Sequence, residues 1–238
     1  MRKMKGSGNY LKNQVRKNLA RAVFCLFLFF VILFVVGLSI VLVLHFGIFN
    51  VAGLLISLAP LGGFYYYLRK YRIYNGGWAG EKQVIKLLGS SLSDDYFLLN
   101  GLHLRDEGGD IDHIVLGPNG IYVLETKNWS GKISCHGDEW QRAGKSNFKG
   151  SPSLQVKRNA AKIKRIIDSS PTSGSLGIWV EGIVVFTNNH ATLHLNNPTV
   201  SVLKLSQLPN HITAQKVFSG FSQQQLEAIG EEILKQKS

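Results

Sequence analysis

Asp110-Ile-Asp112-His113-Ile-Val-Leu-Gly117-Pro118-Asn119-Gly120-Ile-Tyr-Val-Leu-Glu125-Thr-Lys127 is the stretch on which the fold turns. Two strand-like segments, 111–116 and 121–127, flank Gly117-Pro118-Asn119-Gly120, a set of residues that β-turns favour. The pattern predicts an antiparallel hairpin. If the turn closes symmetrically, residues equidistant from its centre face each other, Asp112 opposite Glu125 and Asp110 opposite Lys127. Side chains alternate faces along a strand, so these four polar groups share one face and His113 takes the other. His113 therefore reads as structural. A slip of one residue would undo the arrangement.

Charged groups on otherwise apolar strands are costly to bury unpaired, and facing carboxylates raise each other's pKa. A divalent cation relieves that conflict. Mg²⁺ (or Mn²⁺) prefers carboxylate and water oxygens and often shares itself with a phosphate. Held there, it would bind a phosphodiester oxygen and acidify a water. Lys127 would position or help deprotonate that water and offset charge in the transition state. Glu-x-Lys alone is a weak signal, since a solvated cross-strand charge pair reads the same. Asp112 across the turn strengthens it, and the flanking residues must decide.

Working outward, a helix is expected from Trp78 to about Leu88, with Val84, Leu87 and Leu88 on one face. Strands are expected at 96–99, 132–135, 139–141, 179–186 and 199–203. Ser151 is an N-cap candidate and Pro152 suits the first position of a helix reaching about Asp168. A Ser/Pro/Gly-rich loop follows at 169–177, and two helices, near 206–216 and 222–236, close the chain. The order is that of an α/β domain with a mixed sheet flanked by helices, with 191–238 extending the domain of residues 78–190.

The front of the chain is different. Residues 22–46 contain no Asp, Glu, Lys or Arg, and about 20 apolar residues suffice to cross a bilayer as a helix. A signal peptide would have an apolar core of only about 7–15 residues and a small-residue cleavage site, which this run lacks. A second apolar run, 51–68, ends in Tyr65-Tyr66-Tyr67 followed by Arg69, Lys70 and Arg72, the signature of a membrane interface. With a short uncharged connector around Gly47–Asn50, the two make a transmembrane hairpin over 22–68. Residues 1–21 form a basic N-terminus and 69–77, with Asn75-Gly76-Gly77, a linker. Positive flanks stay inside, so both ends are expected in the cytoplasm of a multi-pass inner-membrane protein.

The net charge of +12 invites a nucleic-acid reading that its distribution does not support. Residues 1–75 hold ten Lys/Arg and no acid, whereas the remaining 17 basic residues face all 15 acids. Most of the basicity belongs to the anchor and to anionic lipid headgroups. Cys25 and Cys135 have no metal-binding spacing.

The motifs together resemble a known family. Gly80-Glu81 opens a helix that continues to Val84. Asp110-Ile-Asp112-His113 leads into Gly117-Pro118-x-Gly120. Glu125-Thr-Lys127-Asn128-Trp129-Ser130-Gly131 follows, then Pro152-x-x-Gln155 at the start of a basic helix. This resembles the nuclease-related domain (NERD) family of the PD-(D/E)XK superfamily over roughly residues 78–190. The resemblance implies a restriction-endonuclease-like core and a Mg²⁺-dependent nuclease. It places Asp112 and Glu125 as metal ligands, Lys127 on the water, Glu81 as the acid that helps organise the metal, and Gln155 beside them. Asp110 is then an alternative ligand. The Gln155 helix also carries Lys157, Arg158 and Lys162, candidate phosphate contacts. Trp129 and Trp140 read as core or rim residues rather than base-stacking platforms. The expected function is hydrolysis of DNA at the membrane. The rival is a non-catalytic nucleic-acid-binding or membrane scaffold module that retains the fold.

Overall fold

The computed structural model describes residues 1–4, 10–43, 48–104, 110–143, 150–170, 177–215 and 221–236. Among them the chain runs β1 (Arg2–Lys3), α1 (Tyr10–Val43), α2 (Ile48–Ser57), α3 (Ala59–Ser91), β2 (Phe97–Leu102), β3 (Ile111–Gly117), β4 (Gly120–Lys127), β5 (Gly131–His136), β6 (Glu139–Arg142), α4 (Pro152–Ser169), β7 (Val180–Phe186), β8 (Ala191–Asn196), β9 (Ser201–Lys204), a 3-10 turn (Leu205–Gln207), α5 (Leu208–Ala214) and α6 (Gln223–Lys235). Residues Tyr10–Trp78 form one unit; Met1–Asn9 and Ala79–Ser238 form the other.

The second unit is built on a mixed sheet in the order β1-β2-β3-β4-β7-β9. β2, β3 and β4 pair antiparallel, and β7 and β9 join parallel. The sheet is buried on both faces, which is why β4 and β7 read as nearly unbroken apolar runs. Ile121 and Val123 pack with Val156, Ile163 and Ile167 of α4. Tyr122 and Leu124, one residue out of phase, pack with Val84 and Leu88 of α3 and Ile212 of α5. The start of α4 is as the sequence requires: Ser151 Oγ accepts from the Leu154 N–H at 3.3 Å and Pro152 takes the first turn.

A smaller sheet, β6-β5-β8, stands apart from the main one. β8 has no counterpart among the expected strands. Its sequence, Ala-Thr-Leu-His-Leu-Asn, alternates apolar and polar residues as a half-buried strand does, and β5 supplies it a parallel partner from Gly131 to His136. The loop expected at 169–177 falls largely outside the described residues.

Two helical stretches among the described residues, Tyr10–Val41 in α1 and Val51–Ser91 through α2 and α3, are long and apolar enough to cross a membrane. Their contacts run in opposite order along the chain. Leu11 meets Gly77, Arg21 lies over Tyr67 at 5.5 Å, Cys25 meets Gly63, and Val36 meets Gly53. A Cβ at Gly53 or Gly63 would lie 2.9 Å from Val36 Cγ2 or 3.0 Å from Cys25 Sγ. Small residues thus let the helices approach, as membrane helices require. Asn75-Gly76-Gly77, expected as a linker, is helical within α3. Glycine there costs about 1 kcal/mol of helix propensity, but Gly77 accepts Leu11 at its surface, and packing outweighs local preference. The connector at Gly47 lies outside the described residues, and Ile48–Asn50 already belong to α2.

Candidate metal centre

The turn sets the register. Gly117 faces Gly120 and His113 faces Leu124, so the next pair outward is Asp112 and Glu125. Gly120 has φ +140°, a conformation open to glycine and strained for other residues. Beyond the last paired residues, Asp112 still reaches its partner strand: the Thr126 N–H donates to Asp112 Oδ2 at 2.6 Å. Glu125 is 2 % exposed. Lys127 Nζ donates to Glu125 Oε1 at 2.5 Å and to Gln155 Oε1 at 3.5 Å. The ammonium also lies 5.5 Å from the centre of the Trp129 ring, a favourable cation–π distance. Lys127 therefore joins Glu125 and Gln155, and Asp112 lies near enough to act on Glu125 electrostatically, which gathers four of the residues singled out in the sequence.

Asp110 departs from the expected pairing. It precedes β3, and its carboxylate takes His103 Nδ1 at 2.6 Å rather than facing Lys127. Its carbonyl accepts from Asn159 Nδ2 of α4 at 3.5 Å. His103 and Asn159 carry no motif, and only the folded chain brings them to Asp110. His113 is wholly buried on the opposite face from Asp112, with Nδ1 2.7 Å from Asn100 Oδ1, and burial holds its pKa down at about 3. It is a neutral structural residue, as its phase on the strand implied.

Glu81 arrives from α3 because Gly80 precedes it. A Cβ at Gly80 would lie 2.8 Å from Thr187 Oγ1 and 3.1 Å from Asn128 Cβ. Only glycine lets the helix come this close to the ends of β4 and β7. Burial, then the charges of Asp112 and Asp110, push the Glu81 carboxyl up to about 8. The same causes act on the paired carboxyls. Desolvation raises Asp112 against the opposing pull of the Thr126 N–H and Lys127. Desolvation and Asp112 raise Glu125, with Glu81 adding to the effect.

Three carboxyls that resist ionisation, among apolar strands, suit a hard cation. Glu125 Oε2 is buried and lacks a hydrogen-bond partner, a costly condition for a carboxylate oxygen. Among the described residues no three Asp, Glu, His or Cys side chains converge at metal-binding geometry. Mg²⁺ does not need them to, since it keeps several waters and commonly takes one or two carboxylates with substrate phosphate. Asp112 and Glu125 fit that demand, with Glu81 near enough to be felt electrostatically by Glu125.

The other sequence candidates divide. Lys157 Nζ is bound to Asp138, 3.0 and 2.8 Å from its two oxygens, so its charge is already engaged. Arg158 is exposed and Lys162 half-buried on α4. Trp140 is core: it stacks on Phe186 with centroids 5.7 Å apart, and Nε1 donates to Ser153 Oγ at 2.6 Å. Trp129 meets Phe186 edge-on at 5.9 Å.

A mixed sheet covered by helices, with acidic residues and a lysine at the ends of its central hairpin, defines a nuclease-like α/β protein. Residues 76–187 match the family model of the nuclease-related domain (NERD), so this part of the chain carries a nuclease-related domain. It is 42 % identical over 60 residues to an uncharacterized protein of Bacillus anthracis, covering 24 % of this chain and 28 % of that one. It is 28 % identical over 102 residues to a probable kinase of Streptomyces coelicolor, covering 42 % of this chain and 6 % of the kinase. The chain thus spans under a third of the length of either relative. No solved structure matches.

Proposed function

We propose that the protein is a divalent-metal-dependent nuclease that hydrolyses phosphodiester bonds of DNA while anchored to the membrane. The observation that carries this reading is the unpartnered, buried Glu125 Oε2 beside Asp112, with Lys127 held on the other oxygen. Asp112 and Glu125 would hold Mg²⁺ or Mn²⁺, with Glu81 in support. A cation bound there supplies charge neutralisation at a phosphate oxygen and a more acidic water.

The protein's own groups do the rest. Thr126 N–H fixes Asp112, so one oxygen is spent on orientation. Glu125 Oε1 and Gln155 Oε1 hold the Lys127 ammonium at the mouth of the cluster. From there Nζ orients the attacking water and offsets negative charge as the phosphorus gains a fifth oxygen. Gln155 restrains Lys127 from a separate element, so strand and helix must both be in place. Arg158 and Lys162 lie along the same helix to receive neighbouring phosphates. The anchor is a helical hairpin with both flanks in the cytoplasm, favoured by its basic ends.

The test uses the full chain in detergent, with plasmid DNA and Mg²⁺ or Mn²⁺. Cleavage that is lost in Asp112→Asn and Lys127→Ala is the expected result. DNA retention without cleavage by the unmodified protein would point to the scaffold function instead, and absence of both metal and DNA binding would overturn either.

A further inference from the structure

The first four residues belong to the nuclease-related unit. β1 pairs parallel to β2, Arg2 beside Phe97 and Lys3 beside Leu98. The Arg2 N–H donates to the Tyr96 carbonyl at 2.9 Å and the Met4 N–H to the Leu98 carbonyl at 3.1 Å. The Met1 nitrogen donates to the Leu92 carbonyl at 3.1 Å and to Asp94 Oδ1 at 2.7 Å. The Arg2 guanidinium lies 5.9 Å from the centre of the Phe97 ring. The Met4 side chain packs against the main core and fills the space at Gly230 of α6, where Leu116 lies 3.1 Å from where a Cβ would stand.

Parallel neighbours need a crossover of a dozen or more residues. Here the crossover from β1 to β2 includes the whole Tyr10–Trp78 unit, whose helices run antiparallel, before α3 continues into the nuclease-related unit. Strands on opposite sides of a bilayer cannot share backbone hydrogen bonds. We infer that the membrane hairpin is an insertion within the nuclease-related fold: Met1–Met4 are its edge strand, supplied across the hairpin, and the sheet is completed only when both arms emerge on one side. A chain inserted with a single crossing would leave the Tyr96–Leu98 edge unpaired, an aggregation-prone condition. It would also loosen β2, whose Asn100 holds His113 next to Asp112. Anchoring and folding are thereby linked.

Two measurements on the full chain in its own membranes test this. Lys3→Cys and Lys235→Cys, both at exposed positions, are probed with a membrane-impermeant maleimide in intact cells and in inverted vesicles, with labelling of the unsubstituted chain subtracted. Both should label in the same preparation, and labelling in opposite preparations would overturn the inference. The double variant Arg2→Pro/Met4→Pro removes both strand donors. It should melt lower by roughly 5 °C or more after detergent extraction and be digested faster, while Lys3→Ala, which removes no ladder donor, should match the parent. A double variant that melts and digests like the parent would also overturn it.

Discussion

Two acid–lysine pairs in this molecule have nearly the same contacts and opposite electrostatics. Lys127 meets Glu125 at 2.5 Å, and Lys157 meets Asp138 at 2.8 Å. Asp138 sits at the surface, where Lys157 and then Thr199 hold its carboxyl below the usual range. Glu125 is pushed above it, because burial and the neighbouring Asp112 outweigh the lysine. A salt bridge is a net gain only where the ions keep water or further partners. Lys157–Asp138 clasps the β5–β6 turn to α4. Lys127–Glu125 holds a lysine in a buried cluster whose carboxyls burial and mutual charge keep hard to ionise.

That contrast is broken most severely at the cluster. Asp112→Asn or Lys127→Ala should lower metal-dependent cleavage by about 10²–10³-fold, measured as initial rates on plasmid DNA. Asp138→Asn should leave the rate within about twofold. A comparable loss at Asp138 would erase the distinction.

Next in size is Gly80→Ala. Its Cβ would press on Thr187 and Asn128, and overpacking of this kind costs about 1–3 kcal/mol. Thermal melting should fall, and metal protection should weaken because Glu81 is displaced with its helix.

The pH dependences should run in opposite directions. Glu81 titrates at about 8 in the fold against an ordinary 4.5. The folded state therefore binds the proton more tightly, and this contribution, full below about pH 4.5, is lost as pH rises through 8. Glu81→Gln should raise the melting temperature of metal-free protein at pH 8 by roughly 2–4 °C and cut the protection given by Mg²⁺. Asp138 is depressed, so its contribution is present above pH 3.8 and lost as pH falls through its folded value. Asp138→Asn should flatten that acid limb. The smallest effect is Lys157→Ala at neutral pH, a slight fall in the denaturant midpoint as expected for a surface pair.

Much of the site was legible because its members are neighbours in sequence joined by a turn. Gly117–Gly120 sets which residues face, and strand alternation then places Asp112 and Glu125 together and His113 apart. Gln155 was placed by motif, and the Ser151 cap puts it in the first turn of α4. Asp110 departs from the symmetric pairing because its partner, His103, stands at the end of β2, and the sheet position of β2 is encoded in no local pattern. Lys157 is a basic residue of the same helix as Arg158 and Lys162, and only the β5–β6 turn shows that its charge is bound to Asp138.

By itself the sequence determined the two apolar spans, the α/β order, the hairpin register and the uneven distribution of charge. These depend on periodicity, turn chemistry and composition, which act between near neighbours. Tertiary structure alone decided that β8 pairs with β5, that Gly76-Gly77 stay helical, that burial outweighs Lys127 in setting Glu125, and that Arg2–Lys3 complete a sheet begun after residue 96. Each depends on contacts between residues far apart in the chain, where backbone pairing and desolvation outweigh local preference.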